Sequence, residues 1–361
     1  RIVQSSVPRS ASADAWRVDD EPLLVLGGGP DGDLYDVAGA VRLSDGKIVV
    51  GDGGSGRVRF FDRDGGPLGS VGGRGEGPGE FVLLQSLGVG HGDTVWAYDF
   101  QLQRMSFFTA PGTLTRVVSL RPRLPSGVPV GYLTDGTLLL AQMWGSGDPS
   151  APLTPGVRRE AAAYVRYDAS GSLVDTLGLF PGREVLLSLE EGRAVMGAIP
   201  FGRTASHTVF GDGFVVGDQV RHELGVFAAD GLLVGILRWA GPSLELAEAD
   251  VEAWRAAQLS SAAPARRAQV RAHLAGVPVP DRRPAYRDLL ADEKGALWVG
   301  AYAHAAETAR RWDVFGPGGP WLSSVEMPPG FRPTQIGPDW ILGIARDALG
   351  VERIELRPLQ R

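Results

Sequence analysis

The chain has 361 residues, a formal charge of −6 at pH 7, 51 glycines, 26 prolines and no cysteine. That length fits two average domains or one large all-β domain, and the missing cysteines exclude disulfides, thiol catalysis and cysteine zinc sites. An acidic balance without a basic tail argues against nucleic acid as a partner, and no run of about 18 apolar residues is present to span a membrane.

Lys47 and Lys294 are the only lysines, so arginine carries nearly all the positive charge. The sequence opens on Arg1 rather than Met. A removed export signal is one explanation, and a periplasmic or other extracytoplasmic location is the expectation. Residues 1–15 are polar and rich in Ser, Ala and Arg, and read as a flexible lead-in. Residues 16–361 read as one domain.

Within that domain one unit recurs. A turn such as Asp45-Gly46 runs into a short apolar strand, here Lys47 to Asp52. The same pattern follows Gly92-Asp93, Asp135-Gly136, Asp212-Gly213, Lys294-Gly295 and Pro338-Asp339. Such runs predict strands buried on both faces. A second strand trails each, as at Arg57 to Asp62 and Trp312 to Phe315, and a third follows the first five. The sixth unit lacks its third strand, and Pro22 to Leu26 offers a spare one. The expectation is an all-β fold, a six-bladed β-propeller closed by an N-terminal strand. A β-sandwich or two stacked β domains is the competing arrangement.

Between the first two units lies Gly72-Gly73-Arg74-Gly75-Glu76-Gly77-Pro78-Gly79-Glu80-Phe81. So much glycine and proline forbids a helix or strand interior. The run lacks the Gly-Lys-Ser/Thr ending and the following helix of a phosphate loop. It reads as a structural loop, with Arg74, Glu76 and Glu80 pairing locally or with neighbouring blades and Phe81 plugged between blades.

Two units carry insertions. In the first, Gly145 to Val157 reads as a loop and Val185 to Leu189 as part of an extra hairpin. The second, about 244–275, is helical. Ser243 is the expected cap of a helix over Leu244 to Leu259, with acids crowding its first turns. Pro264 starts a second helix. Around this helical hairpin Arg255, Arg266, Arg267, Arg271, Arg282, Arg283 and Arg287 gather, with Trp254 near them. This is the candidate docking element for an acidic protein or an anionic membrane surface. A solvated face balanced by the acids at 245–252 is the alternative.

The Gly-Arg-Gly-Glu-Gly-Pro-Gly-Glu-Phe run at 73–81, following the Asp62-Arg-Asp-Gly65 turn, resembles the signature between the first two blades of bacterial six-bladed β-propellers similar to the NHL-repeat group. The resemblance spans roughly 16–361. It implies a fold and an exported location, and no single activity.

Some propellers of this kind hydrolyse lactones with calcium in the channel. That resemblance makes Asp52, Asp99 and Asp218, each closing the first strand of its unit, the metal candidates. Asp31, Asp33, Asp62 and Asp64 have the alternation of a calcium loop but lack its distal Glu, and read as turns. The five histidines, His91, His207, His222, His273 and His304, show no zinc-helix spacing, although a metal site assembled across blades stays open. No Gly-x-Ser-x-Gly elbow is present. Trp144 and Tyr302 are candidates for stacking on a small ligand or glycan. The leading expectation is a non-enzymatic exported interaction module without cofactor. It would act as an accessory scaffold, peripheral on an envelope membrane complex of respiratory or photosynthetic type. The alternative is a metal-dependent lactonase- or hydrolase-like enzyme.

Overall fold

The Asp-Gly turns form as their chemistry dictates. In the computed structural model, which describes residues 1–9, 16–28, 32–145, 154–190, 193–302, 310–347 and 349–361, the Gly46 amide donates to the Leu43 carbonyl at 2.9 Å and Gly46 takes φ +89°. Glycine adopts this left-handed conformation without steric cost. The Asp45 carboxylate accepts from the Lys47 amide at 3.1 Å, which aims the chain into the next strand. The amides of Gly136 and Gly295 close equivalent turns onto the Leu133 and Asp292 carbonyls.

The N-terminal segment contributes β1 (Ile2–Ser5), β2 (Arg17–Val18) and β3 (Leu24–Leu26). Then come β4 (Val37–Arg42), β5 (Ile48–Asp52), β6 (Arg57–Phe61) and β7 (Pro67–Gly72), an antiparallel sheet in chain order. The second sheet holds β8 (Leu84–Val89), β9 (Val95–Asp99), β10 (Arg104–Thr109) and β11 (Thr113–Ser119). The third is built from β12 (Gly127–Tyr132), β13 (Leu138–Gln142), β15 (Ala161–Tyr167) and β16 (Leu173–Pro181). Beside it, β14 (Gly156–Arg158), β17 (Val185–Glu190) and β18 (Arg193–Ala198) make a three-stranded sheet. The fourth sheet has β19 (Ser206–Phe210), β20 (Gly213–Gly217), β21 (Glu223–Phe227) and β22 (Leu233–Trp239), to which β1 adds in parallel. Helices α1 (Glu248–Ser261) and α2 (Arg267–Gly276) follow. The fifth sheet is β23 (Tyr286–Ala291), β24 (Leu297–Ala301), β25 (Arg310–Phe315) and β26 (Trp321–Met327). The last holds β27 (Phe331–Ile336), β28 (Trp340–Arg346) and β29 (Glu352–Gln360), and β2 and β3 both pair antiparallel with β29.

There is no single core. Apolar side chains pack in clusters between successive sheets. Ile48 and Val50 of β5 face a cluster with Leu342, Ile344 and Ile354 of the last sheet. Val49, between them, faces the cluster of the second sheet with Leu87 and Val95. Leu138 and Leu140 likewise pack toward the second sheet while Leu139 and Ala141 pack toward the fourth. The strand after each turn is therefore apolar at every position because each of its faces meets a different neighbour. Sheets that stack face to face in succession make a β-propeller.

The first strand of each sheet is the element the sequence conceals. Only β8 lies in a stretch whose residues, Phe81 to Val89, read as strand-like. The others carry polar residues, with Gly or Pro in β4, β12 and β27, and five of the six shift register against the second strand. Such bulges break a period-two pattern. These strands contact one another in sequence, β4 with β8, β8 with β12, β12 with β19, β19 with β23, β23 with β27, and β27 with β4.

Three local expectations change. Within the expected loose lead-in, Ile2–Ser5 is a strand, because the free edge of β22 offers unpaired backbone groups. Residues 10–15 lie outside the described residues. The first helix starts after Ala247, not Ser243. Leu244 is instead buried with Trp239 and Leu289, and the Asp250 carboxylate accepts from the Ala247 amide at 3.1 Å. Of the loop expected at Gly145 to Val157, residues 146–153 lie outside the described residues, and its end enters β14.

Candidate functional site

The helical hairpin stands on a short backbone ladder. Leu246 N–H donates to the Asp281 carbonyl at 3.0 Å and Arg283 N–H to the Leu244 carbonyl at 2.8 Å. Leu274 of α2 is buried, and Trp254 of α1 packs its ring 6.4 Å from that of Phe201. Tyr302 also packs near Phe201, its ring centroid at 6.2 Å. The hairpin is thus held to the body at its base and through one indole. Arg255, Arg266, Arg267, Arg271 and Arg282 are exposed.

Among the described residues, none of these five arginines forms an ion pair with the acids of the hairpin. Glu248 and Asp250 sit in the first turn of α1, where the helix dipole favours them. The start of α2 is the reverse. It has no acid in its first turn, and Arg266 and Arg267 stand there against the positive end of the dipole. Arg267 turns its Nε to the Ala262 carbonyl at 3.3 Å, and Arg283 directs Nη2 to the Ser243 carbonyl at 3.3 Å. Arg287 does not belong to the hairpin. It lies on β23 and lines a cavity in the body.

The glycine run forms a tight loop tied by backbone. Phe81 N–H donates to Gly73 O at 2.9 Å and Gly75 N–H to Phe81 O at 3.2 Å. Arg74 donates to the Gly54 carbonyl at 2.7 Å. Glu80 accepts from the Gly77 amide at 2.9 Å. Arg104 of β10 reaches the carbonyls of Glu76, Gly77 and Glu80. Pro78 sits in the turn between them. Phe81 is buried among Phe60, Leu84 and Phe108, from both the first and second sheets.

The three aspartates are not brought together. Asp52 pairs with Arg59 at 2.6 Å and accepts from Ser55. Asp99 accepts from the amides of Val82, Leu83 and Leu102. Asp218 accepts from the Val220 amide, and its carbonyl from Arg159 at 2.8 Å. Each is occupied by its own loop, and among the described residues no group of three His, Asp or Glu side chains is placed to hold a metal. His304 and Asp31 lie outside the described residues. His91 and His273 are exposed. Trp144 is exposed just after β13. Among the described residues no helix is long and apolar enough to cross a membrane.

A cavity of about 290 Å³ opens where β19, β23 and β27 adjoin, lined by His207, Arg287, Asp288, Trp312 and Arg332 among others. Four of these five residues stand on the first strands that the sequence conceals. His207 Nδ1 lies 2.8 Å from the Tyr164 hydroxyl, and burial pushes the imidazole down to about 4. Burial also holds the Arg332 guanidinium below its ordinary range, although its side chain meets solvent in the cavity.

No protein-family model matches the chain, and no curated protein sequence matches it. Solved structures do. A member of the DUF4221 family from Bacteroides vulgatus superposes with a TM-score of 0.59 at 10% identity, over 96% of this chain and 99% of that one. A Bacteroides fragilis protein thought to be exported gives 0.53 at 11% identity, over 99% of each chain. At these identities the likeness is one of fold, and it supports the β-propeller. Virginiamycin B lyase from Staphylococcus aureus gives only 0.46 at 12% identity, over 91% and 97%, too loose to bear on chemistry.

Proposed function

We propose that the chain is an exported six-bladed β-propeller of the NHL-like kind that acts as a protein-interaction module, docking through its helical hairpin on an acidic protein surface. Six blades are supported by six sheets of four or five strands and by the circuit of first-strand contacts that returns from β27 to β4. An exported, periplasmic location is supported by the fold likeness to a protein thought to be exported. In this reading the partner is an envelope membrane complex and the chain its peripheral scaffold subunit.

The observation that carries the reading is the set of exposed arginines on and beside α2 without ion-pair partners among the described residues. Internal neutralisation by the acids of α1 would have been the simpler arrangement. Arg266 and Arg267 at the positive end of α2 make the face locally unfavourable until a negative partner meets it. Such a face speeds encounter and selects an acidic partner, and its binding weakens with salt.

The test is isolation of the untagged protein from its native envelope in mild detergent, with sizing and mass spectrometry of what co-migrates. The wild type is expected to co-migrate stoichiometrically with a membrane complex. A variant with Arg255, Arg266, Arg267 and Arg271 changed to Glu is expected to migrate alone while keeping its β-sheet circular dichroism. Undiminished association of that variant would refute the hairpin as the docking element.

A further inference from the structure

The cavity between β19, β23 and β27 is a second feature, independent of the hairpin. Its polar lining is dominated by donors. Arg287 and Arg332 stand on adjacent first strands, and among the described residues neither guanidinium has a hydrogen bond or ion pair. The nearby acids are already occupied. Asp288 pairs with Arg310 at 3.3 Å, and Glu352 binds Arg346 and accepts from the Val37 amide at 2.8 Å. The indole N–H of Trp312 is fully buried and has no partner among the described residues.

His207 adds another donor. Tyr164 is fully buried and its hydroxyl has no other partner among the described residues. A buried O–H needs an acceptor, so it donates to Nδ1, and the neutral ring then carries its proton on Nε2. Two guanidinium groups and an imidazole thus line one cavity whose carboxylate is engaged elsewhere, with the buried Trp312 indole behind them. Both arginines are solvent-exposed and unpaired among the described residues, and arginine is matched in shape to planar or tetrahedral oxyanions.

We propose that this cavity binds a small ligand bearing a carboxylate or phosphate group, held between Arg287 and Arg332. At about 290 Å³ it lies at the lower end of small-molecule sites, which run from roughly 300 to 1,000 Å³. The occupant is therefore of metabolite size and not a peptide. The sign of the charge is also opposite to what a divalent cation requires.

The experiment is a titration of the full chain with inorganic phosphate, succinate and citrate at fixed ionic strength, read by tryptophan fluorescence and calorimetry. Saturable binding of at least one ion is expected. A response to phosphate alone assigns the phosphate class, and a response to the dicarboxylate or tricarboxylate alone assigns the carboxylate class. Arg287→Gln and Arg332→Gln are each expected to weaken binding about tenfold, Arg332→Lys less so, and the surface variant Arg63→Gln, exposed and far in sequence from the cavity lining, not at all. Thermal unfolding of each unliganded variant should stay close to wild type, because neither guanidinium holds a partner. A flat response to all three ions, or equal weakening by Arg63→Gln, would overturn the proposal.

Discussion

The carboxylate of Asp99 accepts a hydrogen bond from the amide of Val82 at 2.6 Å, fastening the chain that enters the second sheet to the end of β9. The same side chain takes the amides of Leu83 and Leu102 and is fully buried. Asp99→Ala strands these donors and is expected to lower stability by about 3 kcal/mol, measured by urea unfolding. Asp99→Asn, which keeps one acceptor oxygen, should cost less. Because the carboxylate is occupied by amides, added calcium should leave the wild-type midpoint unmoved. A calcium-dependent rise lost in Asp99→Asn would return it to the list of metal ligands.

Phe81 is buried at the junction of the first two sheets, with its ring 6.5 Å from that of Phe108. Truncation to Ala leaves a cavity that the rigid glycine loop cannot collapse into. The expected loss is about 3–5 kcal/mol, and Phe81→Leu should recover part of it. A loss below about 1 kcal/mol in Phe81→Ala would mean that the loop adjusts.

Trp254 joins the hairpin to Phe201. Trp254→Ala should therefore loosen α1 and α2 without loosening the sheets. Limited proteolysis is expected to cut within 248–276 at a higher rate while the main thermal transition shifts little. Unchanged cleavage would show that the base ladder alone holds the hairpin.

Acid should destabilise the fold in two separate windows. Burial holds His207 at about 4, below the ordinary value near 6.5, so unfolding takes up a proton between those values. Its contribution is fully present above about 6.5 and is lost as pH falls toward 4. His222 is lowered by burial as well and adds in the same direction. Asp135, lowered first by the Thr137 hydroxyl, and Asp175, lowered first by Arg166, give up their contribution only at more acid pH. Melting temperatures from pH 7 to 4 should fall less steeply for His207→Gln than for wild type. Parallel curves would exclude His207 as the source.

What the sequence made legible was whatever turns sharply or is apolar on both sides. Gly46, Gly136 and Gly295 announced their turns, and Ile48 to Val50 announced a strand meeting a neighbour on each face. β12 and β27 stayed hidden because Pro129, Gly131 and Pro333 accompany their bulges. With them went the cavity, since His207 and Arg332 came from strands that did not read as strands. Arg287 belongs by sequence to the arginine-rich run, but the ladder at Leu244 to Arg283 ends the hairpin before it. Asp52, Asp99 and Asp218 at the strand ends are landmarks of the repeat, and their loops occupy them.

The pairing of Leu26 with Ile354 has a kinetic side. Leu24–Leu26 finds its partner only in the distant β29, so the last sheet cannot finish until both segments are present. Contacts this distant in sequence slow folding. Until β29 arrives, Leu24 to Leu26 and the apolar faces of β5 and β28 are open to wrong partners. A chaperone that holds the early segment, or passage across a membrane before folding, would suit a chain joined in this way.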